Sequence, residues 1–117
     1  RWPVVALSNG NADLRRVGLG RYFHASISAR EVGAAKPDAR IFHHGAQAAG
    51  VPASQVLHIG DDAHLDGLGA LRAGMQTVWL NREGADWPHP DTRPHAVVTS
   101  LHALMPLLAP VSINPTL

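Results

Sequence analysis

The stretch that decides the fold is residues 56–74, which read VLHIGDDAHLDGLGALRAG. A short apolar run meets Gly60 and two adjacent carboxylates, Asp61 and Asp62, and a third acid, Asp66, follows four residues later. This order predicts a buried strand, a turn, and a helix whose first turn contains Asp66 and which ends at Gly74. Open α/β sheets present their sites at the carboxyl ends of the strands, so we expect the three acids to mark such a site.

Two interpretations of the acidic pair are open on this stretch alone. Adjacent carboxylates repel each other, so a cation is expected nearby. Mg²⁺ is the usual one, because it prefers oxygen ligands and takes few carboxylates, completing its shell with water and phosphate. In the other interpretation, Asp61 or Asp62 only caps the helix and favours its positive end.

The rest of the chain alternates between short apolar runs and helical patterns. Further strands are predicted at residues 4–7, 23–29, 76–80 and 96–99. Helices are predicted from residue 10 or 11 to Gly18, from Pro37 to Gly50 with Asp38 in the first turn, and over 101–108 with an interruption near Pro106. Residues 31–35 and 83–94 are expected to be loops. The fold class is therefore α/β: a Rossmann-like, three-layer α/β/α arrangement around a mostly parallel, doubly wound sheet.

Length and composition exclude several classes of function. With 117 residues the chain is long enough for one domain, which we assign to residues 1–109, with a frayed tail over 110–117. A net charge of +1 without a basic block does not favour nucleic acid, and the apolar runs are too short to span a membrane. The absence of cysteine fits a reducing cytoplasm. We expect Trp79 in the core, Trp87 as a loop anchor, and His58 as a hydrogen-bonded core histidine, without a stacking platform for nucleic acid.

Three short motifs occur in a fixed order along the chain. They are Ser8-Asn9-Gly10 after the first strand, Lys36-Pro37 at a helix start, and Gly60-Asp61-Asp62 with Asp66 after a later strand. In this order the sequence resembles the haloacid dehalogenase superfamily, whose members are mostly Mg²⁺-dependent phosphatases. The resemblance extends from residue 4 to about residue 82. One motif alone is weak evidence, whereas three in order on the expected elements are strong.

The resemblance implies roles for the residues that would contact phosphate. Ser8 would donate its hydroxyl to the phosphoryl group, and the backbone amides of Asn9 and Gly10 would add to that binding. Lys36 would balance the negative charge of the phosphate and the carboxylates. Ser8 and Lys36 are thus the predicted catalytic residues in this chain.

It also implies roles for the acids. Asp61 would bind Mg²⁺ directly, and Asp62 directly or through water. Asp66 would hold the acidic loop or Lys36 in place without contacting the metal.

One defining part of the superfamily is missing from this sequence. The family has an N-terminal D-x-D whose first Asp forms an aspartyl-phosphate, and no such motif precedes residue 4. The family's corresponding strand lies between those that carry Ser8 and Asp61, so two unpaired strand edges are expected here. We therefore expect the C-terminal part of a hydrolase core, inactive alone, whose partner is the N-terminal half or a second copy.

Three functional interpretations follow. The flanking text, SNGNADL with GLGRYF and HIGDD with AGMQTVW, looks most like phosphatases of flavin mononucleotide and similar small phosphorylated metabolites. A hydrolytic 2-haloacid dehalogenase of the same superfamily is the nearest alternative, but those enzymes tend to carry uncharged Ser and Asn where Asp61 and Asp62 stand. A non-catalytic α/β binding module is the third; in receiver domains, however, the acids precede the Lys, the reverse of the order here.

Overall fold

A computed structural model describes residues 2–10 and 22–108, and these contain five parallel strands in two sheets. The strands are β1 (Val5–Ser8), β2 (Ala25–Ser28), β3 (Leu57–Gly60), β4 (Gln76–Leu80) and β5 (Ala96–Val98). β1 pairs with β2, while β3, β4 and β5 form the second sheet in that order. Each strand lies within about two residues of its predicted position, because each is a short apolar run bounded by turn residues.

The two sheets are not paired with each other among the described residues. Among the described residues β1 pairs only with β2, and β3 only with β4. Each of these two strands therefore has an edge without a backbone partner, as expected for a chain without a strand between them.

Among the described residues, two α-helices precede β3. α1 (Ala29–Val32) begins at Ser28, whose hydroxyl accepts the backbone N–H of Glu31 and donates to its carboxylate. This N-cap begins a helix that includes residues 31 and 32, so the loop predicted at 31–35 was wrong there. α2 (Ala39–Ala49) ends before Gly50 as predicted, but Asp38 is its N-cap and not part of its first turn.

The helical segments after β3 are irregular. Residues Ala63–Leu68 form a π-helix that continues into α3 (Gly69–Arg72), where the sequence predicted one regular helix. The last segment is a 3₁₀ turn over His102–Leu104 followed by α4 (Met105–Leu108). Pro106 lies in the first turn of α4, where proline is tolerated, so the predicted interruption does not occur.

The core consists of two clusters of buried side chains on opposite sides of the strands. The first joins α2, α3 and the loop before β4, and contains Ile41, Phe42, Ala46, Ala70, Ala73 and Met75, with Leu7 and Ile27 packed against it. The second joins the second sheet to the C-terminal segment, and contains Val78, Leu80, Val98 and Leu104. Helical segments thus cover both faces of the strands, which confirms the three-layer α/β/α arrangement.

Within residues 2–10 and 22–108 every helix is too short or too polar to cross a bilayer. The predicted helix from residue 10 or 11 to Gly18 and the predicted frayed tail at 110–117 lie outside the described residues.

Candidate active site

The predicted site residues come from the ends of parallel strands. Ser8 is the last residue of β1, and Gly60 is the last residue of β3. Asp61 and Asp62 follow Gly60, and Asp62 caps the helix that begins at Ala63. The loop that carries Lys36 reaches both strand ends, as its hydrogen bonds show.

Ser8 makes a tight local turn. Its Oγ accepts the backbone N–H of Gly10 at 2.9 Å. The Ser8 hydroxyl can still donate its hydrogen to a ligand, since a serine hydroxyl both accepts and donates hydrogen bonds. The Gly10 amide, which the sequence assigned to phosphate, is engaged by Ser8 in this structure.

Asn9 is bound to the main chain of Lys36. Its Nδ2 donates to the Lys36 carbonyl at 3.1 Å, and its Oδ1 accepts the Lys36 N–H at 2.8 Å. The side-chain amide of Asn9 therefore fixes the Lys36 loop against the end of β1. The sequence assigned only the backbone amide of Asn9, so this side-chain function was missed.

The carboxylate of Asp66 is the centre of the polar contacts. The Lys36 Nζ donates to Asp66 Oδ1 at 2.7 Å, and His58 Nε2 lies 3.0 Å from the same oxygen. Asp66 Oδ2 accepts the backbone N–H of Asp62 at 3.3 Å. Asp66 thus contacts both Lys36 and the acidic loop, in the arrangement predicted for it.

Asp66 is ionised in this environment. Burial by itself would raise its pKa, but the hydrogen bonds from His58 and Lys36, with the charge of Lys36, outweigh burial and lower the pKa to about 2. Because an ionised carboxylate can only accept, His58 must carry its proton on Nε2 and donate it. The ring of His58 is fixed on its other side by an edge contact to Phe42, with ring centroids 5.0 Å apart.

The room for Asp66 comes from Gly60. A Cβ atom added to Gly60 would overlap the carboxyl group of Asp66. Residues 58 and 60 point to the same face of β3, because side chains alternate along a strand. Because Gly60 has no side chain, the Asp66 carboxylate fits next to it, and His58 contacts that carboxylate on the same face of the strand.

Asp61 and Asp62 differ in how many of their carboxylate oxygens have a hydrogen-bond partner among the described residues. Among the described residues the exposed carboxylate of Asp61 has no hydrogen-bond partner, whereas Asp62 Oδ1 accepts the backbone N–H groups of His64 and Leu65 at 2.9 and 2.7 Å. Asp62 thus caps the helix through Oδ1, while its Oδ2 has no partner within the described segments and leaves the metal interpretation open.

The carboxylate oxygens of Asp61 and Asp62 suit Mg²⁺ better than they suit a metal ion that requires many protein ligands. The described residues contain no group of three or more His, Cys, Asp or Glu side chains able to hold one ion. Mg²⁺ is commonly bound by one or two carboxylates, with water and phosphate as the other ligands. Asp61, with the free oxygen of Asp62, could supply that number.

The sequence missed two contributors to the site. His58 was predicted as a hydrogen-bonded core histidine, which is correct, but its partner is the site carboxylate. Trp79 was predicted as core, and it is 4% exposed, but its indole Nε1 also donates to the carbonyl oxygen of Asp61 at 2.9 Å. The alternation of side chains along β3 could have indicated that His58 faces the Asp66 carboxylate. The contact of Trp79 with Asp61 could be predicted only from the pairing of β3 with β4.

Comparison with protein families identifies the chain. Residues 1–74 match the family described as "Hydrolase: haloacid dehalogenase-like hydrolase". The chain belongs to this family. Its α/β core is the Rossmann-like core of haloacid dehalogenase-like hydrolases.

Individual relatives of this haloacid dehalogenase-like chain include phosphatases and a dehalogenase. It is 38% identical to the 5-amino-6-(5-phospho-D-ribitylamino)uracil phosphatase YigB of Escherichia coli, over 92% of this chain and 47% of that protein. It is 43% identical to the pyrimidine 5′-nucleotidase YjjG of Escherichia coli, over 81% and 42% respectively. The crystal structure of a 2-haloacid dehalogenase from Pseudomonas syringae superposes with a TM-score of 0.86 at 38% identity, over 92% and 46%. The chain therefore spans less than half the length of each relative.

Proposed function

We propose that this chain is the C-terminal part of the catalytic core of a Mg²⁺-dependent phosphatase that hydrolyses a small phosphomonoester. The supporting observation is the free, exposed carboxylate of Asp61, next to a loop that the Lys36–Asp66 ion pair fixes. A dehalogenase needs no carboxylate pair for a metal, whereas a phosphatase does. The complete protein would supply the nucleophilic Asp, which forms the aspartyl-phosphate.

The chain's own residues would bind and orient the phosphoryl group. The Ser8 hydroxyl can donate to a phosphate oxygen while its Oγ keeps the Gly10 amide. The ammonium of Lys36 has one partner among the described residues, Asp66, so it has hydrogens left for phosphate. Asp61 and Asp62 would hold Mg²⁺, which when bound neutralises negative charge on the phosphoryl oxygens. Without the nucleophile we expect these 117 residues to bind but not to turn over substrate.

The substrate class is proposed from two relatives. One acts on a phosphorylated ribitylaminouracil and the other on pyrimidine 5′-nucleotides, as their names state. Both substrates carry a phosphate on a five-carbon sugar or ribityl chain attached to a pyrimidine ring. Flavin mononucleotide carries the same ribityl phosphate, so we propose that the substrate belongs to this class of phosphorylated metabolites. We propose the cytoplasm as the compartment of the enzyme.

A 2-haloacid dehalogenase is the second candidate, because the Pseudomonas syringae enzyme shares the fold closely. The two reactions differ in their need for metal. Phosphate release should require Mg²⁺, while halide release from a 2-haloacid should persist in excess chelator. A chain that does neither in its complete form would be a non-catalytic binding module.

The test is the variant Asp61→Asn in the full-length protein. Mg²⁺-dependent hydrolysis of a phosphomonoester should be abolished, while far-ultraviolet circular dichroism stays unchanged, since the Asp61 side chain has no hydrogen-bond partner to lose among the described residues. Asp86→Asn, an exposed acid in the loop before β5, is the matched control and should keep full activity. Full activity in Asp61→Asn would show that the proposed metal site is wrong.

A further inference from the structure

Trp79 connects β4 to the acidic loop. Its backbone is opposite Gly60 in the register of β3 and β4, and its side chain is buried. A buried indole N–H requires an acceptor, and here the acceptor is the main-chain carbonyl of Asp61, at 2.9 Å. The bond thus runs from the neighbouring strand to the residue whose carboxylate is free.

Asp61 has little else to fix it. Asp62 is tied down by its cap to His64 and Leu65, whereas the Asp61 carboxylate has no hydrogen bond within residues 2–10 and 22–108. The direction of that carboxylate therefore depends on its backbone, and the Trp79 N–H is the side-chain group that holds this backbone.

We propose that Trp79 is a positioning residue, which holds the Asp61 backbone so that the carboxylate is preorganised for a divalent cation. The inference rests on the proposed function, in which Asp61 binds Mg²⁺. A ligand held in its bound direction loses less conformational freedom on binding, so the cation binds more tightly. The indole itself is fixed by burial and by an edge contact to Trp87, with ring centroids 5.3 Å apart.

Trp87 offers a matched control. Its indole N–H donates to the carbonyls of His89 and Thr92, at 2.8 and 2.9 Å, and so organises the loop before β5. Trp→Phe at either position removes one indole N–H and keeps an aromatic ring. At position 79 the lost bond is to Asp61, whereas at position 87 the lost bonds are to His89 and Thr92.

The experiment compares Trp79→Phe with Trp87→Phe in the full-length protein. Mn²⁺ binding, measured by electron paramagnetic resonance, should weaken by about threefold to tenfold in Trp79→Phe, the range expected for one lost hydrogen bond. Backbone hydrogen exchange at residues 61–65 should accelerate in the same variant. Trp87→Phe keeps a ring next to Trp79 and leaves the bond to Asp61 in place, so it should change both quantities less than Trp79→Phe does, although both variants should lower the melting temperature.

Each outcome decides a different claim. Wild-type Mn²⁺ affinity and wild-type exchange at 61–65 in Trp79→Phe would overturn the positioning role. If the wild-type protein binds no Mn²⁺, the proposed metal site fails, and exchange at 61–65 alone then decides whether Trp79 holds the loop. If Trp79→Phe does not fold, nuclear magnetic resonance of the wild type replaces it. The indole N–H signal of Trp79 should then shift when Mg²⁺ is added, while that of Trp87 does not; an unmoved Trp79 signal in a protein that binds Mg²⁺ would refute the proposal.

Discussion

Asn9 and Lys36, 27 residues apart in the chain, exchange two hydrogen bonds between the side chain of the first and the main chain of the second. Asn9 follows β1, and Lys36 lies in the loop before α2. The pair places the base of the Lys36 side chain next to the strand end that carries Ser8. Ser8 and Lys36, the residues proposed to bind phosphate and to neutralise charge, are thus held near each other by the side-chain amide of Asn9.

Asn9→Ala should lower both activity and stability. It removes two hydrogen bonds to the Lys36 main chain, with an expected loss of about 1–2 kcal/mol in the free energy of unfolding. Because Lys36 is then less well placed, kcat of the full-length enzyme should fall by more than stability explains. Urea unfolding and steady-state kinetics measure the two effects.

Asn81→Ala is the control for Asn9→Ala. Asn81 makes the same two-bond arrangement with Ala85, at 2.8 and 3.0 Å, in a loop outside the site. It should lose comparable stability and keep its kcat. Equal kcat values for Asn9→Ala and the wild-type protein would contradict the positioning role of Asn9.

The pH dependence of stability should report on Asp66. Its pKa is lowered from 3.8 to about 2 in the folded protein, so the folded state favours the ionised form. This contribution, about 2 kcal/mol, is fully present above the unfolded pKa near 4 and is lost as the pH falls through 2. The unfolding free energies of wild type and Asp66→Asn should therefore differ most above pH 5 and converge toward pH 2.

Asp38→Asn is the control for Asp66→Asn, because Asp38 is a more exposed acid whose pKa is lowered to a similar value. The Arg40 side chain lowers the pKa of Asp38 to about 2, but this pair lies in solvent and salt screens it. Adding 0.5 M NaCl, roughly a fourfold to fivefold increase over physiological ionic strength, should reduce the effect of Asp38→Asn more than that of Asp66→Asn. A pH-independent difference between wild type and Asp66→Asn would show that the carboxylate is not ionised by its partners.

Gly60→Ala should displace Asp66. The added Cβ would overlap the carboxyl group, so either the strand or the Lys36–Asp66 ion pair must move, at a cost of about 2 kcal/mol or more. Gly50→Ala is the control, because its Cβ would meet open space and its cost comes only from a φ of 76°. Urea unfolding should show a larger loss for Gly60→Ala, and a smaller loss than for Gly50→Ala would contradict the predicted overlap.

Much of the fold could be predicted from the sequence, because short apolar runs between turn residues are typical of strands in a parallel sheet, although only β4 is mostly buried. The irregular parts could not. Ser28 caps α1 and Glu31 lies in its first turn, but residues 23–29 were predicted as a strand and 31–35 as a loop. The π-helix at 63–68 has no local sequence signal. Of the site, the residue types were enough to predict Ser8 and Asp61 at strand ends and Lys36 just before a helix. The functions of the Asn9 side chain, His58 and Trp79 depend on which atoms face each other across 8 to 27 residues, and one sequence does not contain that information.

The gap between the two sheets has a consequence for how the protein unfolds. Within the described residues no strand pairing joins the β1–β2 sheet to the β3–β4–β5 sheet. The two sheets are connected by the packing of α2 and by the hydrogen bonds from Asn9 to Lys36 and from Lys36 to Asp66. In these 117 residues, the same contacts that hold Lys36 in place therefore contribute to the cooperativity with which the two sheets unfold. A variant that loses Lys36 should broaden the calorimetric transition, with a van't Hoff enthalpy below the calorimetric one, as the two sheets begin to melt as separate units.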